Sequence, residues 1–300
     1  MLSLLLATAV WGYTLITDSG GYVVTWAPGS IQIQVKLPTS PVYGDGFSQS
    51  SSVVVAMNDW NAQLGVVQFA PTELGPGTYG VGNDVNEIAM DSTIDGDAFG
   101  SNTLAVTVSF RSGNERIESD IIFNTAWTWD SYRGNLQAAE DIRRVAIHEL
   151  GHVLGLNHPD QAGQSVTAIM NSTVSNIASL QTDDITGGQA LYGAPGFVPA
   201  NNNFANATTI NLSSGSTQVT GTNVAATAES GEPAHAGETA RRSVWWQWTA
   251  PASGSITITT LGSNIDTVLG VYTGGSVNSL SGVASGDDVA PGVIRTTAVT

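Results

Sequence analysis

The chain has 300 residues, 41% of them apolar and only 11% charged, with 25 acidic against 9 basic side chains for a net charge of −16. That length fits two domains, and so acidic a chain does not hold nucleic acid or an anionic membrane through bulk electrostatics. Cysteine is absent, which excludes disulfides and thiolate metal sites and leaves His, Asp and Glu as the ligands open to a transition metal. The balance suits a soluble extracellular protein whose carboxylates could bind calcium.

Residues 1–10 are apolar but too few to span a bilayer. With Ala7-Thr8-Ala9 as a small-residue cleavage site they read as the core of a secretory signal peptide, an apolar first strand being the alternative. Residues 30–37 alternate Ile31, Ile33, Val35 and Leu37 against Gln32, Gln34 and Lys36, the period of a half-buried strand. Residues 50–64 then carry Val54, Met57, Trp60 and Leu64 at helical spacing behind a Ser-rich start. The Gly-, Asp- and Asn-rich run 71–100 is a solvated loop, or a calcium loop built on Asp84, Glu87, Asp91, Asp95 and Asp97. Strands follow at 103–110 and 117–123. Trp127, Trp129 and Tyr132 are expected to pack a helix against the sheet. That helix spans 136–156, with Ile142, Val145, Ala146, Leu150, Val153 and Leu154 as its apolar face.

The helix ends in His148-Glu149-Leu150-Gly151-His152-Val153-Leu154-Gly155-Leu156-Asn157-His158. Residues four apart share a helix face, so His148 and His152 can reach one metal ion. Gly155 can adopt the left-handed conformation that ends a helix and turns the chain back, which brings His158 to the same ion. Three imidazoles leave a fourth tetrahedral position for water, the pattern of a catalytic zinc rather than a structural one. Glu149 stands beside the ligands as a candidate general base. Five fixed positions make the motif highly specific.

The extended motif resembles that of the metzincin zinc peptidases, and His158 followed by Pro159 resembles their matrixin branch, in particular its bacterial secreted members. Asp141 to Ile147, Ile169-Met170-Asn171, Asp183-Asp184-Ile185 and Gln189 to Gly193 resemble matrixin stretches as well. The resemblance implies an α+β metzincin catalytic domain, a twisted mixed sheet with an active-site helix, over residues 20–195. It implies that Met170 forms the Met-turn beneath the metal and that residues 171–182 wall the main specificity pocket. Asp183 would tie down the mature N-terminus and Asp184 would hold the Met-turn; charges favouring a helix dipole explain that pair equally well. The resemblance also makes 103–110 the sheet edge that pairs with extended substrate. Thr182 is a candidate cap and Gly193 a stop for a last helix. Without cysteine, the thiol-based latency of animal matrixins is excluded.

Residues 196–203 read as a linker. Beyond them Ser, Thr and Gly dominate, and alternating runs at 244–249, 255–260 and 267–272 argue for an all-β sandwich over 204–300. Phe204 to Thr208, Ser243 to Trp248 and Asp266 to Tyr272 resemble the bacterial pre-peptidase C-terminal domain, here read as truncated. Trp246 and Trp248 share a face with Val244 and are expected in its core. Asp266, Asp287 and Asp288 could bind calcium or serve as turn residues. His235, in a polar loop, needs no role.

The chain therefore reads as a secreted, monomeric, zinc-dependent endopeptidase acting on proteins or peptides, with one catalytic zinc, calcium possible, no nucleic-acid partner and no transmembrane span. Two other readings compete. One is an inactive metzincin-like binding or adhesion protein with a structural zinc. The other is a surface- or carbohydrate-binding module that carries a protease.

Overall fold

The structure is a computed structural model that describes residues 12–212, 214–290 and 295–300; the apolar leader at 1–10 lies outside them. The described residues divide into two compact units, those of 12–16 with 24–191 and those of 17–23 with 192–300.

The first unit is built on a five-stranded sheet. Its strands in chain order are β1 (Gly29–Val35), β2 (Val67–Glu73), β3 (Asn86–Asp91), β4 (Ala105–Ser112) and β5 (Glu115–Asn124). The spatial order is β2-β1-β3-β5-β4. β1 runs parallel to β2 and β3, and β3 parallel to β5, while β4 alone is antiparallel. This is the mixed sheet expected. The alternation of β1 works as read, since Ile31, Ile33 and Val35 are buried. β5 is buried along nearly its whole length, as a strand covered on both faces must be. β4 pairs only with β5 and is the sheet edge.

Two helices pack together over this sheet. Helix α1 (Gln49–Asn61) begins at a reciprocal cap, in which Ser48 accepts from the Ser51 amide and Ser51 accepts from the Ser48 amide. Its Trp60 is fully buried and donates Nε1–H to the Ile147 carbonyl, 2.9 Å away. Helix α2 (Ile142–Leu154) starts six residues later than the periodicity predicts. The Asp141 carboxylate accepts from the Arg143 amide and takes the N-cap. The residues before it are committed elsewhere. Glu140–Asp141 pairs with Trp129–Asp130, the Leu136 amide donates to Asn176 Oδ1, and the Tyr132 hydroxyl donates to the Ala139 carbonyl. A third helix, α3 (Thr182–Tyr192), includes Thr182 as its first residue rather than as its cap. The capping acceptor is Asp184, whose carboxylate takes the Gln181 amide. Gly193 follows at φ +70°.

The aromatic loop serves packing. Trp129 meets the Phe123 ring edge-on and donates to the Asn124 carbonyl; Trp127 donates to the Thr103 carbonyl.

In the second unit the described residues form short strand pairs. Leu269–Thr273 pairs with Ser281–Gly286 across a bulge, Ile258–Thr259 with Ala298–Val299, and Thr208–Thr209 with Trp246–Gln247. Runs dominated by Ser, Thr and Gly bury little apolar surface per residue, which leaves the ladders short. The tryptophan expectation also changes. Trp245 is the buried member, against Phe204, His235 and Tyr272, and Trp246 is exposed. His235 is tied down as well, to the Tyr272 hydroxyl and Glu232 Oε1, each at 2.8 Å.

Candidate active site

His148 and His152 project from one face of α2. The helix stops at Gly155, whose φ of +109° only a residue without a side chain adopts at little cost; a Cβ there would also lie 3.2 Å from the Val24 carbonyl oxygen. The chain reverses at that point and brings His158 back. The three Nε2 atoms form a triangle with edges of 3.1, 3.1 and 3.0 Å.

The outer nitrogens decide what this triangle is. His148 Nδ1 faces the Ile169 carbonyl at 2.8 Å, and His152 Nδ1 faces the Leu156 carbonyl at 2.8 Å. A carbonyl only accepts, so both Nδ1 atoms carry the hydrogen. His158 Nδ1 stands 3.1 Å from Gln161 Oε1, which orients it the same way. In the neutral rings each Nε2 then presents a bare lone pair to the other two. Burial, and after it the neighbouring His148 ring, push the His152 pKa down to about 3, and the same two causes lower that of His158. Three lone pairs at such separations repel unless a cation lies among them, so the donor set fits a divalent metal that favours imidazole, with zinc the commonest case. Among the described residues, this triad and the group Asp266, Asp287 and Asp288 are the two sets whose ligand atoms cluster closely enough to hold an ion.

The remaining expected residues surround the triangle. Met170 is buried beneath α2, and a Cβ on Gly151 would overlap its sulfur. The Asp184 carboxylate accepts from the Ile169 amide at 3.0 Å and the Met170 amide at 3.1 Å, which fixes the carbonyl that His148 uses. Burial outweighs those donors and raises the Asp184 pKa. Asp183 is raised by burial and by Asp184, and its Oδ1 lies against Gly12, where a Cβ would overlap it. Glu149 is buried next to the three histidines. Its Oε2 accepts from the Thr107 hydroxyl of β4 at 2.6 Å.

The sequence reading missed Thr107, because a polar residue in an alternating strand looks like the solvent face. It also missed Gln161, three residues past His158, whose only signal was a polar side chain within reach of an exposed loop. The carboxylates of the acidic run do not gather into one close cluster among the described residues. Glu87 is buried, pairs with Lys36 and accepts from the Gly80 amide, and the 82–84 turn is held by Glu118 through three amide donors. Asp95 lies in the turn between two short paired strands, Thr93–Ile94 and Asp97–Ala98, and Asp97 opens the second of them opposite Ile94.

Comparison with known proteins agrees with this geometry. Residues 46–193 match the matrixin family. Metalloendoproteinase 4-MMP of Arabidopsis thaliana is 30% identical over 122 residues, which cover 41% of this chain and 35% of that protein. Metalloendoproteinase 1-MMP of the same plant is 30% identical over 156 residues, 51% of this chain and 37% of that protein. Human stromelysin-3 is 41% identical over 78 residues, 26% of this chain and 15% of that protein. The matched part thus spans little more than a third of its plant relatives. Residues 46–193 form a matrixin domain homologous to these metalloendoproteinases.

Proposed function

We propose that the matrixin domain is a zinc-dependent endopeptidase, with His148, His152 and His158 as the metal ligands and Glu149 as the general base. One observation carries the reading: three imidazole lone pairs converge beside a buried carboxylate. The matrixin family uses a catalytic zinc, and the donor set suits that ion. Bound there, zinc supplies a Lewis acid that brings the pKa of water toward ~7 and polarises a peptide carbonyl.

The chain's own residues supply the rest. Glu149 holds the proton taken from the attacking water and delivers it to the leaving amine nitrogen. Ile169, Leu156 and Gln161 keep the imidazoles in the tautomer that leaves Nε2 available. β4, with one side unpaired, is suited to add an extended peptide as a further strand and so to align the scissile bond. Met170 and Asp184 serve as the floor and brace of the site, and Asp183 as the acceptor for the chain near Gly12. Among the described residues no helix is long and apolar enough to cross a membrane. Secretion and a monomeric state complete the proposal, together with a C-terminal β-sandwich beyond the 196–203 linker.

Digestion of casein and of a mixed peptide library, with and without a zinc chelator, tests the reading. Cleavage that the chelator stops and zinc restores is expected, and Glu149→Gln should bind one zinc per chain yet lose about 10²–10⁴ in turnover. Chelator-resistant cleavage, or a Glu149→Gln variant as fast as wild type, would overturn it. Zinc-dependent stability with no cleavage of any substrate would point to the binding-protein reading instead.

A further inference from the structure

Glu149 extends from α2 toward β4, and the strand meets it with one side chain. Thr107 sits in β4 opposite Ile121 of β5. Its hydroxyl lies 2.6 Å from Glu149 Oε2 and 3.2 Å from the Glu149 backbone carbonyl. A hydroxyl has one proton to give, and the shorter, charge-assisted contact is the stronger claim on it. Glu149 Oε1 accepts no hydrogen bond from any described residue.

We infer that Thr107 is a positioning residue for Glu149: its hydroxyl pins Oε2 and leaves Oε1 as the oxygen that handles the proton. The inference rests on the peptidase reading above. Three features support the assignment. Threonine is branched at Cβ, so its side chain is stiff and holds the hydroxyl in one direction. Glutamate is long and loses much rotamer freedom when held, so a single fixed donor restricts it strongly. Finally, Thr107 belongs to the edge strand on which an extended substrate would pair. The strand that aligns the peptide also aligns the base, and both are set by the same backbone. The Thr107 proton stays on Oγ1 throughout, so the residue orients without exchanging a proton.

The test compares the full-length, zinc-loaded chain as wild type, Thr107→Val, Thr107→Ser and Glu149→Gln on one fluorogenic peptide. Valine keeps the shape and the strand preference and removes the donor; serine keeps the donor. Thr107→Val should lower kcat about tenfold to a hundredfold with KM within about twofold, while Thr107→Ser stays within about threefold of wild type in both. Crystal structures of the variants give a readout independent of turnover: Glu149 should occupy one rotamer in wild type and Thr107→Ser, and more than one in Thr107→Val. Should valine fail to fold, Thr107→Ala replaces it. Wild-type kcat in the valine variant, a serine variant as slow as valine, or a loss confined to KM overturns the inference. If those results accompany an inactive Glu149→Gln, this inference alone fails. If Glu149→Gln is as fast as wild type, the peptidase reading fails with it.

Discussion

Among the described residues, the two groups able to cluster around an ion differ in charge and in support. His148, His152 and His158 are half-buried, and each ring has its second nitrogen tied to an oxygen acceptor. Asp266 and Asp287 are exposed and Asp288 half-buried, and their carboxylates accept no hydrogen bond from any described residue. Burial and the two acidic neighbours raise the pKa of the Asp266 carboxyl, which is the sign of unrelieved like-charge repulsion. Neutral ligands converge without the repulsion of full charges, and oriented ligands bind without further ordering. Proximity alone is therefore a poor guide to a metal site, and the outer hydrogen bonds are the better one.

The largest effect should separate the two groups directly. Zinc at about a thousand times its dissociation constant adds about 4 kcal/mol to the folded state. Chelation should remove that increment from wild type, shown by the fall in Tm. In His152→Ala, added zinc should give no such increment. The triple variant Asp266→Asn, Asp287→Asn, Asp288→Asn should respond to zinc like wild type; a lost response there would break the comparison.

Next in size is the brace behind the triad. Asp184→Ala leaves the Ile169, Met170 and Gln181 amides without their acceptor, at a cost of about 3 kcal/mol. Because the Ile169 carbonyl orients His148, zinc affinity should fall about tenfold, read by competition with a chromophoric chelator. Gly151→Ala drives a Cβ into Met170 and should cost about 1–3 kcal/mol by denaturant titration.

A third carboxylate sharpens the contrast between supported and unsupported groups. Asp120 is fully buried, its Oδ1 accepts from the Glu87 amide, and its Oδ2 finds no donor but, when protonated, can itself donate to the Glu118 carboxylate. Burial, with Glu118 and Glu87 nearby, pushes its pKa up to about 8. A folded-state value above the unfolded one means the contribution is full below pH ~4 and is lost as pH rises through 8. Asp120→Asn keeps the acceptor and cannot ionise. Its stability relative to wild type should therefore climb between pH 5 and 8 by about 1–3 kcal/mol, measured by urea unfolding at each pH. A difference independent of pH would disprove the protonated state. The smallest effect should be the change in stability of the triple Asp variant in the absence of metal, a gain of about 0.5 kcal/mol or less from relieved surface repulsion.

Much of the first unit and most of its site were legible before any coordinates. Alternation over Ile31, Ile33 and Val35 marked a strand because one face of a pleated strand must be buried. The four-residue spacing of His148 and His152, with a glycine three residues on, marked two rings on one helix face before a chain reversal, because helix pitch and the left-handed turn are local properties. The family resemblance added Met170 and Asp184, which no local pattern singles out. The start of α2 was misjudged because Leu136 and Ala139 continue the apolar pattern, while the Asp141 cap competes only once Trp129–Asp130 lies alongside. Trp245 rather than Trp246 is buried for a similar reason: a two-residue strand is too short for alternation to define a face.

What the sequence determined by itself is what depends on neighbours a turn or a pleat away: the histidine triad, the turn that returns His158, and the amphipathic elements. The tertiary structure alone decided which groups meet across the chain. Thr107 reaches Glu149 over 42 residues of separation, Asp120 is set beside Glu118 and Glu87, and Glu87 pairs with Lys36. Hydrogen bonds between distant segments follow from how a sheet and a helix are stacked, and no periodicity in one segment records the partner offered by another.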